Sequence, residues 1–121
     1  MKYIALIHNN PAAWKALSQT ERDKHNSDAD VYLEMLTDSG ELVGGAVVLA
    51  HPMNAKTVRV RSGVPAVTDG PFAEGKEHLA GYYVLDCESI ERATEIVTND
   101  PSARHFAVEV RPIMHMTSSD L

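Results

Sequence analysis

The sequence predicts an α+β domain of the βαββαβ kind, with two helices covering one face of an antiparallel sheet and a β-hairpin arm inserted in the chain. Three observations point there. Apolar or alternating runs at Tyr3–His8, Leu42–Leu49, Leu79–Asp86 and His105–Arg111 read as strands. Two helical patterns, opened by Ser18 and Ser89, fall after the first and third of them. A further alternating run at Thr57–Arg61 ends in turn chemistry and marks the arm.

Tyr3 to His8 is apolar and bounded by Asn9-Asn10-Pro11, so it reads as a strand buried on both faces and central in the sheet. Pro11 to Leu17 reads as a short helical turn carrying Trp14, either a lid on the core or a platform for a ligand. Ser18-Gln19-Thr20-Glu21 fits a capping box and starts a long helix; Ala29, Tyr32, Leu33 and Leu36 follow at helical spacing, and Ser39-Gly40 stops it. His25 lies four residues before Ala29 and seven before Tyr32, on the apolar face.

In Leu42–Leu49 the pair Gly44-Gly45 weakens pairing or permits a bulge. Ala50 to Ala55 is a loop, and His51 before Pro52 is expected to be extended and exposed. Val58 and Val60 share one face of the next strand, expected to be buried; Thr57, Arg59 and Arg61 share the other, wet or lining a polar cavity. Ser62 to Pro65 reads as a turn, with Ala66-Val67-Thr68 returning into Asp69-Gly70-Pro71-Phe72, where Asp69 shapes the turn and Phe72 anchors it. In the strand ending at Asp86, Tyr82 and Val84 face one way and Tyr83 and Leu85 the other, while Gly81 leaves room for a close neighbour. The second helix runs from Ser89 to about Thr98 with Ile90, Ala93, Ile96 and Val97 inward, ended by Asn99-Asp100-Pro101. The whole chain, 1–121, reads as one domain with residues 113–121 as a C-terminal tail whose Ile113, Met114 and Met116 could pack on a partner.

With 44% hydrophobic and 23% charged residues the composition is that of an ordinary globular domain. A net charge of −6 argues against a surface that neutralises phosphates, so nucleic acid is not expected as a direct ligand. The lone Cys87 cannot form an internal disulfide, which points to the cytoplasm. No apolar run is long enough for a membrane span, and the opening run is too short for a signal peptide.

No Walker loop, dinucleotide fingerprint, CxxC pair or HExxH motif occurs, and the six histidines show no metal-ligand spacing, so neither a cofactor nor a metal is expected. What remains is His25, which can act as a base near neutral pH if a carboxylate fixes its tautomer. Its other reading is a histidine satisfied at the core's edge. Asp69 and Asp100 are the two candidate carboxylates. Tyr82, Arg59 and Arg61 are candidate donors to a substrate carboxylate or phenolate.

Asp69-Gly70-Pro71-Phe72 resembles the DGPF motif of the YCII-related family. Met1–Ile7, Thr57–Arg61, Lys76-Glu77, Gly81-Tyr82-Tyr83 and Val108–Pro112 resemble that family's other landmarks, so the likeness covers nearly the whole chain. It implies a ferredoxin-like fold of the dimeric α/β barrel type. The exposed sheet face independently suggests a homodimer paired through that face. The resemblance also implies a His-Asp pair, with the histidine in the first helix and an Asp-Pro after the second; His25 and Asp100-Pro101 fall at matching places. The function expected is therefore a small-molecule enzyme using that pair in a pocket between helix and sheet. The alternative is a non-catalytic dimeric ligand-binding or interaction module associated, as relatives are, with sigma-factor regulation of transcription.

Overall fold

The computed structural model describes residues 1–72 and 75–116. Its main sheet contains β1 (Lys2–Asn9), β2 (Leu42–Val48), β5 (His78–Asp86) and β6 (Ala107–Pro112) in the order β2-β5-β1-β6, every neighbouring pair antiparallel. The central place expected for the first strand is thus observed: β1 pairs with both β5 and β6.

The long helix α2 (Gln19–Ser39) begins where the capping box places it. Ser18 Oγ accepts from the Glu21 amide at 3.1 Å, and Glu21 Oε1 accepts from the Ser18 amide at 3.0 Å. It ends at Gly40, whose φ of 78° is the left-handed conformation of a helix stop. Helix α3 (Ile90–Thr98) is capped by Ser89, whose hydroxyl accepts from the Arg92 amide. Both helices cover the same sheet face: Tyr32 and Leu36 of α2 and Ala93, Ile96 and Val97 of α3 pack with Tyr3, Ala5, Tyr83 and Leu85. Burial of this apolar cluster supplies the main driving force for closing the two layers. The opposite sheet face carries Ile4, Leu6, Tyr82 and Val84, with no helix over it among the described residues.

Two short helices refine the expected order. Helix α1 (Pro11–Ala16) starts at Asn10, whose side chain accepts from the amides of Ala12 and Ala13. Helix α4 (Pro101–His105) occupies residues expected to lead straight into the last strand, which instead begins at Ala107. The reason is local: Asp100 caps the turn by accepting from the Ser102 amide at 2.8 Å, and Pro101 sits at the first helical position, where its missing N–H costs nothing.

The arm is a two-stranded ribbon, β3 (Lys56–Arg61) with β4 (Val64–Asp69). Its turn is tighter than expected. Ser62 and Gly63 alone close it, at φ of 51° and 76°, as a two-residue hairpin loop requires, and Pro65 lies within β4. Two expectations fail here within the single chain. Val58 and Val60 are exposed rather than buried, because no layer among the described residues covers that face of the ribbon. Phe72 does not anchor the segment; it is exposed, with the Arg59 guanidinium 5.1 Å from its ring centre. Gly70 adopts φ 95°, and its amide donates to the Ala55 carbonyl. Beyond β6 the Ile113 amide donates to the Lys2 carbonyl and Met114 is fully exposed, while residues 117–121 of the expected tail lie outside the described residues.

Candidate active site

Helical spacing places His25, Tyr32 and Leu36 along one stripe of α2, and all three are buried. His25 is only 8% exposed. It abuts a cavity of about 330 Å³ between the first half of α2, the α1 and α4 segments, and the ends of β1, β2 and β5. Trp14 packs edge-on to the His25 ring at 5.3 Å, and Phe106 and His105 lie 5.9 and 5.4 Å from it. Trp14 is therefore both a lid on this corner of the core and a wall of the cavity.

A chain of hydrogen bonds crosses the cavity floor. Tyr83 on β5 donates to Asp100 Oδ2 at 2.6 Å, and the Tyr32 hydroxyl lies 2.8 Å from that of Tyr83. Tyr83 has one hydroxyl proton and gives it to Asp100, so Tyr32 is the donor in the tyrosine pair. Asp100 is 4% exposed, and its other oxygen caps α4. An ion pair from Arg104 to Asp28 at 2.9 Å ties α4 to α2 and so fixes the carboxylate's position.

Burial raises the pKa of both tyrosines, and the Asp100 charge raises that of Tyr83 further. Both phenols therefore stay protonated and serve as donors rather than bases. The His25 pKa is lowered, first by burial, then by His105 and Arg104, against the opposing pull of Asp100 and Asp28. His25 is accordingly a neutral imidazole at pH 7.

This shift has a consequence for stability. The unfolded chain takes up the His25 proton before the folded chain does, so the contribution is fully present above the ordinary histidine value and is lost as pH falls through it toward the lowered folded value. Chemical denaturation of the parent is expected to show lower stability at pH 5 than at pH 7. In His25→Gln the decline is smaller, and equal declines would contradict the buried neutral imidazole.

Two polar atoms at the cavity have no partner. Asn9 Oδ1 and His25 Nδ1 are buried without a hydrogen bond, and both residues line the space. His25 and Asp100 thus share one cavity, while the hydrogen bonds of Asp100 go to Tyr83 and Ser102. Asp69 lies elsewhere, at the end of β4, with its side chain 84% exposed and paired with Lys56. Arg59 and Arg61 stand exposed on the arm, and Tyr82 points to the helix-free face. None of these four lines the cavity that holds His25. Larger clefts of about 780 and 700 Å³ lie at the base of the arm, around His51 and His78, without buried orphan polar atoms among the described residues.

The residues that sequence reasoning passed over are Asn9, Tyr32 and Tyr83. Tyr82 and Tyr83 are adjacent on one strand and differ only in face, and each face had an apolar partner in the pattern. A usable signal was the pairing of Tyr83 with Leu85 against the inward stripes of the helices.

Comparison with known proteins agrees with this architecture. Residues 1–117 match the model of the YCII-related domain. An uncharacterized protein of Rhizobium meliloti (strain 1021) is 32% identical over 117 residues, covering 93% of this chain and 92% of its own length. Among solved structures, the 5-chloro-2-hydroxyhydroquinone dehydrochlorinase TftG of Burkholderia phenoliruptrix AC1100, in complex with 2,5-dihydroxybenzoquinone, is similar with a TM-score of 0.51 at 16% identity, over 96% of each chain. At that identity the likeness concerns the fold. The family match spans nearly every residue from which the sheet, its helices and the His25 cavity are built, and the chain belongs to the YCII-related family.

Proposed function

We propose that this protein is a small-molecule enzyme in which His25 accepts a proton from a ligand bound in the cavity between α2 and the sheet. The observation that carries this reading is that His25 and Asp100 line one cavity beside the Tyr32–Tyr83–Asp100 chain, with Asn9 Oδ1 and His25 Nδ1, on two of the lining residues, buried without a partner. Buried polar groups in folded proteins are nearly always paired, and leaving one unpaired costs about 1–3 kcal/mol. Two such atoms, on residues that line the same cavity, fit a site whose polar groups are completed when a ligand is bound.

The roles follow from the geometry. His25, neutral by burial, takes the proton. Asp100 lies close enough to favour the resulting imidazolium electrostatically, and Tyr83 and Ser102 hold its carboxylate in place. TftG, of similar fold, is by its name an enzyme and holds a ring-sized compound, which supports the enzymatic reading over an interaction module. The test is a panel of small phenols and carboxylic acids assayed for binding and turnover with the parent, His25→Ala and Asp100→Asn. Loss of the general base is expected to lower the rate by about 100-fold or more. If both variants bind and convert every compound as the parent does, the reading is wrong.

We also propose a ferredoxin-like homodimer of the dimeric α/β barrel type. The helix-free face carries half-buried Ile4, Leu6 and Tyr82 around a buried Val84, and the arm leaves Val58, Val60, Val64 and Val67 at 58–65% exposure. An isolated two-stranded ribbon is only marginally stable in water, so a surface that covers this one supports it. Light scattering is expected to give twice the chain mass of 13.2 kDa, and a 13.2 kDa particle at micromolar concentration contradicts the pairing.

A further inference from the structure

Resting on the reading of this cavity as a ligand site, we infer that α1 is its lid and that Arg22 is the latch, a positioning residue that holds Trp14 against His25.

His25 is buried, so a ligand that reaches its ring needs a wall that moves. Most of the walls are fastened into the fold. Strands β1, β2 and β5 are paired within the sheet, and α2 buries Tyr32 and Leu36 in the core. The α4 segment is held twice, by the Arg104–Asp28 ion pair and by the bond from Tyr83 to Asp100. Helix α1 differs. None of its six residues is buried, and Asn10 and Leu17 at its two ends are extended, so the turn stands as a separate unit between them. A helix this short has almost no stability of its own in water.

Its hold on α2 comes from Arg22. The guanidinium donates from Nε to the Trp14 carbonyl at 3.2 Å and from Nη2 to the Lys15 carbonyl at 3.0 Å. These belong to the last turn of α1, where carbonyls lack the usual helical partners. A planar fork reaches both at once, and the same group lies 6.0 Å from the centre of the Trp14 ring. Arg22 and His25 are three residues apart and therefore neighbours on one side of α2. One grips the backbone of Trp14 and the other meets its ring edge-on at 5.3 Å, with Phe106 at 6.1 Å. The charged groups that weigh on His25 are His105, Arg104, Asp100 and Asp28, and burial weighs more than any of them. Arg22 acts on the imidazole through Trp14, by keeping water from it.

Hydrogen exchange in the full chain without ligand tests the latch. The Trp14 amide donates to the Asn10 carbonyl and the Leu17 amide to the Trp14 carbonyl, so both report on α1. In Arg22→Ala the two amides are expected to exchange about tenfold faster, as loss of a hydrogen bond to a charged group implies, while Tyr32 and Leu36 keep the parent's rates. The His25 titration midpoint, read from its ring resonances, is expected to rise toward the ordinary histidine value. Arg22→Lys should restore part of the protection, since an ammonium replaces one of the two bonds, and this variant decides the matter if Arg22→Ala does not fold. In a Trp14→Ala background, removing Arg22 should leave the His25 midpoint where it is. Parent-like exchange of Trp14 and Leu17 in Arg22→Ala overturns the latch. So does acceleration shared equally by Tyr32 and Leu36, or a His25 midpoint that moves just as far without Trp14. None of these measurements involves a ligand: a failed latch leaves the site reading standing, and a compound panel without a binder strikes the site reading and not the latch.

Discussion

Asp100→Ala is expected to lower the free energy of unfolding by about 3 kcal/mol. The side chain performs two tasks at 4% exposure: it accepts the Tyr83 hydroxyl and caps α4 through the Ser102 amide. Its loss leaves the Tyr83 donor buried without an acceptor, at about 1–3 kcal/mol, and removes a helix cap of about 1 kcal/mol. Relief of carboxylate desolvation offsets part of this, which keeps the figure below the upper limit of the two combined. Asp100→Asn retains an acceptor for Ser102 and is expected to lose less. Urea denaturation of the two variants measures the difference; a loss under about 0.5 kcal/mol for Asp100→Ala would mean that the Tyr83 bond is not formed in solution.

Gly81→Ala is expected to destabilise the chain by about 1–3 kcal/mol, the usual range for overpacking, and to weaken ligand binding as well. A Cβ built on Gly81 meets the Val47 carbonyl oxygen at 2.5 Å, with Val48 Cα at 3.6 Å. Both contacts are backbone, so no rotamer change relieves them and β2 must move away from β5. Val47 and Val48 line the His25 cavity, which ties this packing defect to the site. Gly45→Ala is the control: it lies in the irregular stretch of β2, the strand that faces Gly81, where an added Cβ meets nothing within 4 Å. Val47→Ala should not rescue Gly81→Ala, because the obstruction is main chain. Equal stability of the Gly81 and Gly45 variants would show that β2 and β5 pair less closely than described.

Much of this fold was legible because local chemistry and burial agreed. Ser18 and Glu21 announced α2, Gly40 ended it, and the apolar run of Tyr3–His8 marked a central strand, since each signal acts over a few residues. The capping role of Asp100 is equally local, yet it was read as a helix stop because Asp-Pro both ends one helix and begins another. The arm was misread for the opposite reason. Val58 and Val60 alternate as a half-buried strand does, but alternation reports that a face is apolar and not what covers it.

The candidate site was half legible. His25 was placed inward by helical spacing, and Asp100 reaches the same cavity. Tyr82 rather than Tyr83 was favoured because strand parity separates two faces without saying which one the helices take. Asn9 carried no signal: its side-chain oxygen is orphaned only by the tertiary arrangement around the end of β1.

The ring nitrogens of His25, followed by ¹⁵N NMR in the full chain at pH 7, report most directly on whether this cavity is a ligand site. Without ligand the resonances should be those of a neutral imidazole, and a phenol that binds should shift the His25 nitrogens more than those of any other histidine. A His25 spectrum that is already protonated at pH 7, or that stays unchanged while the compound binds elsewhere, would contradict the account.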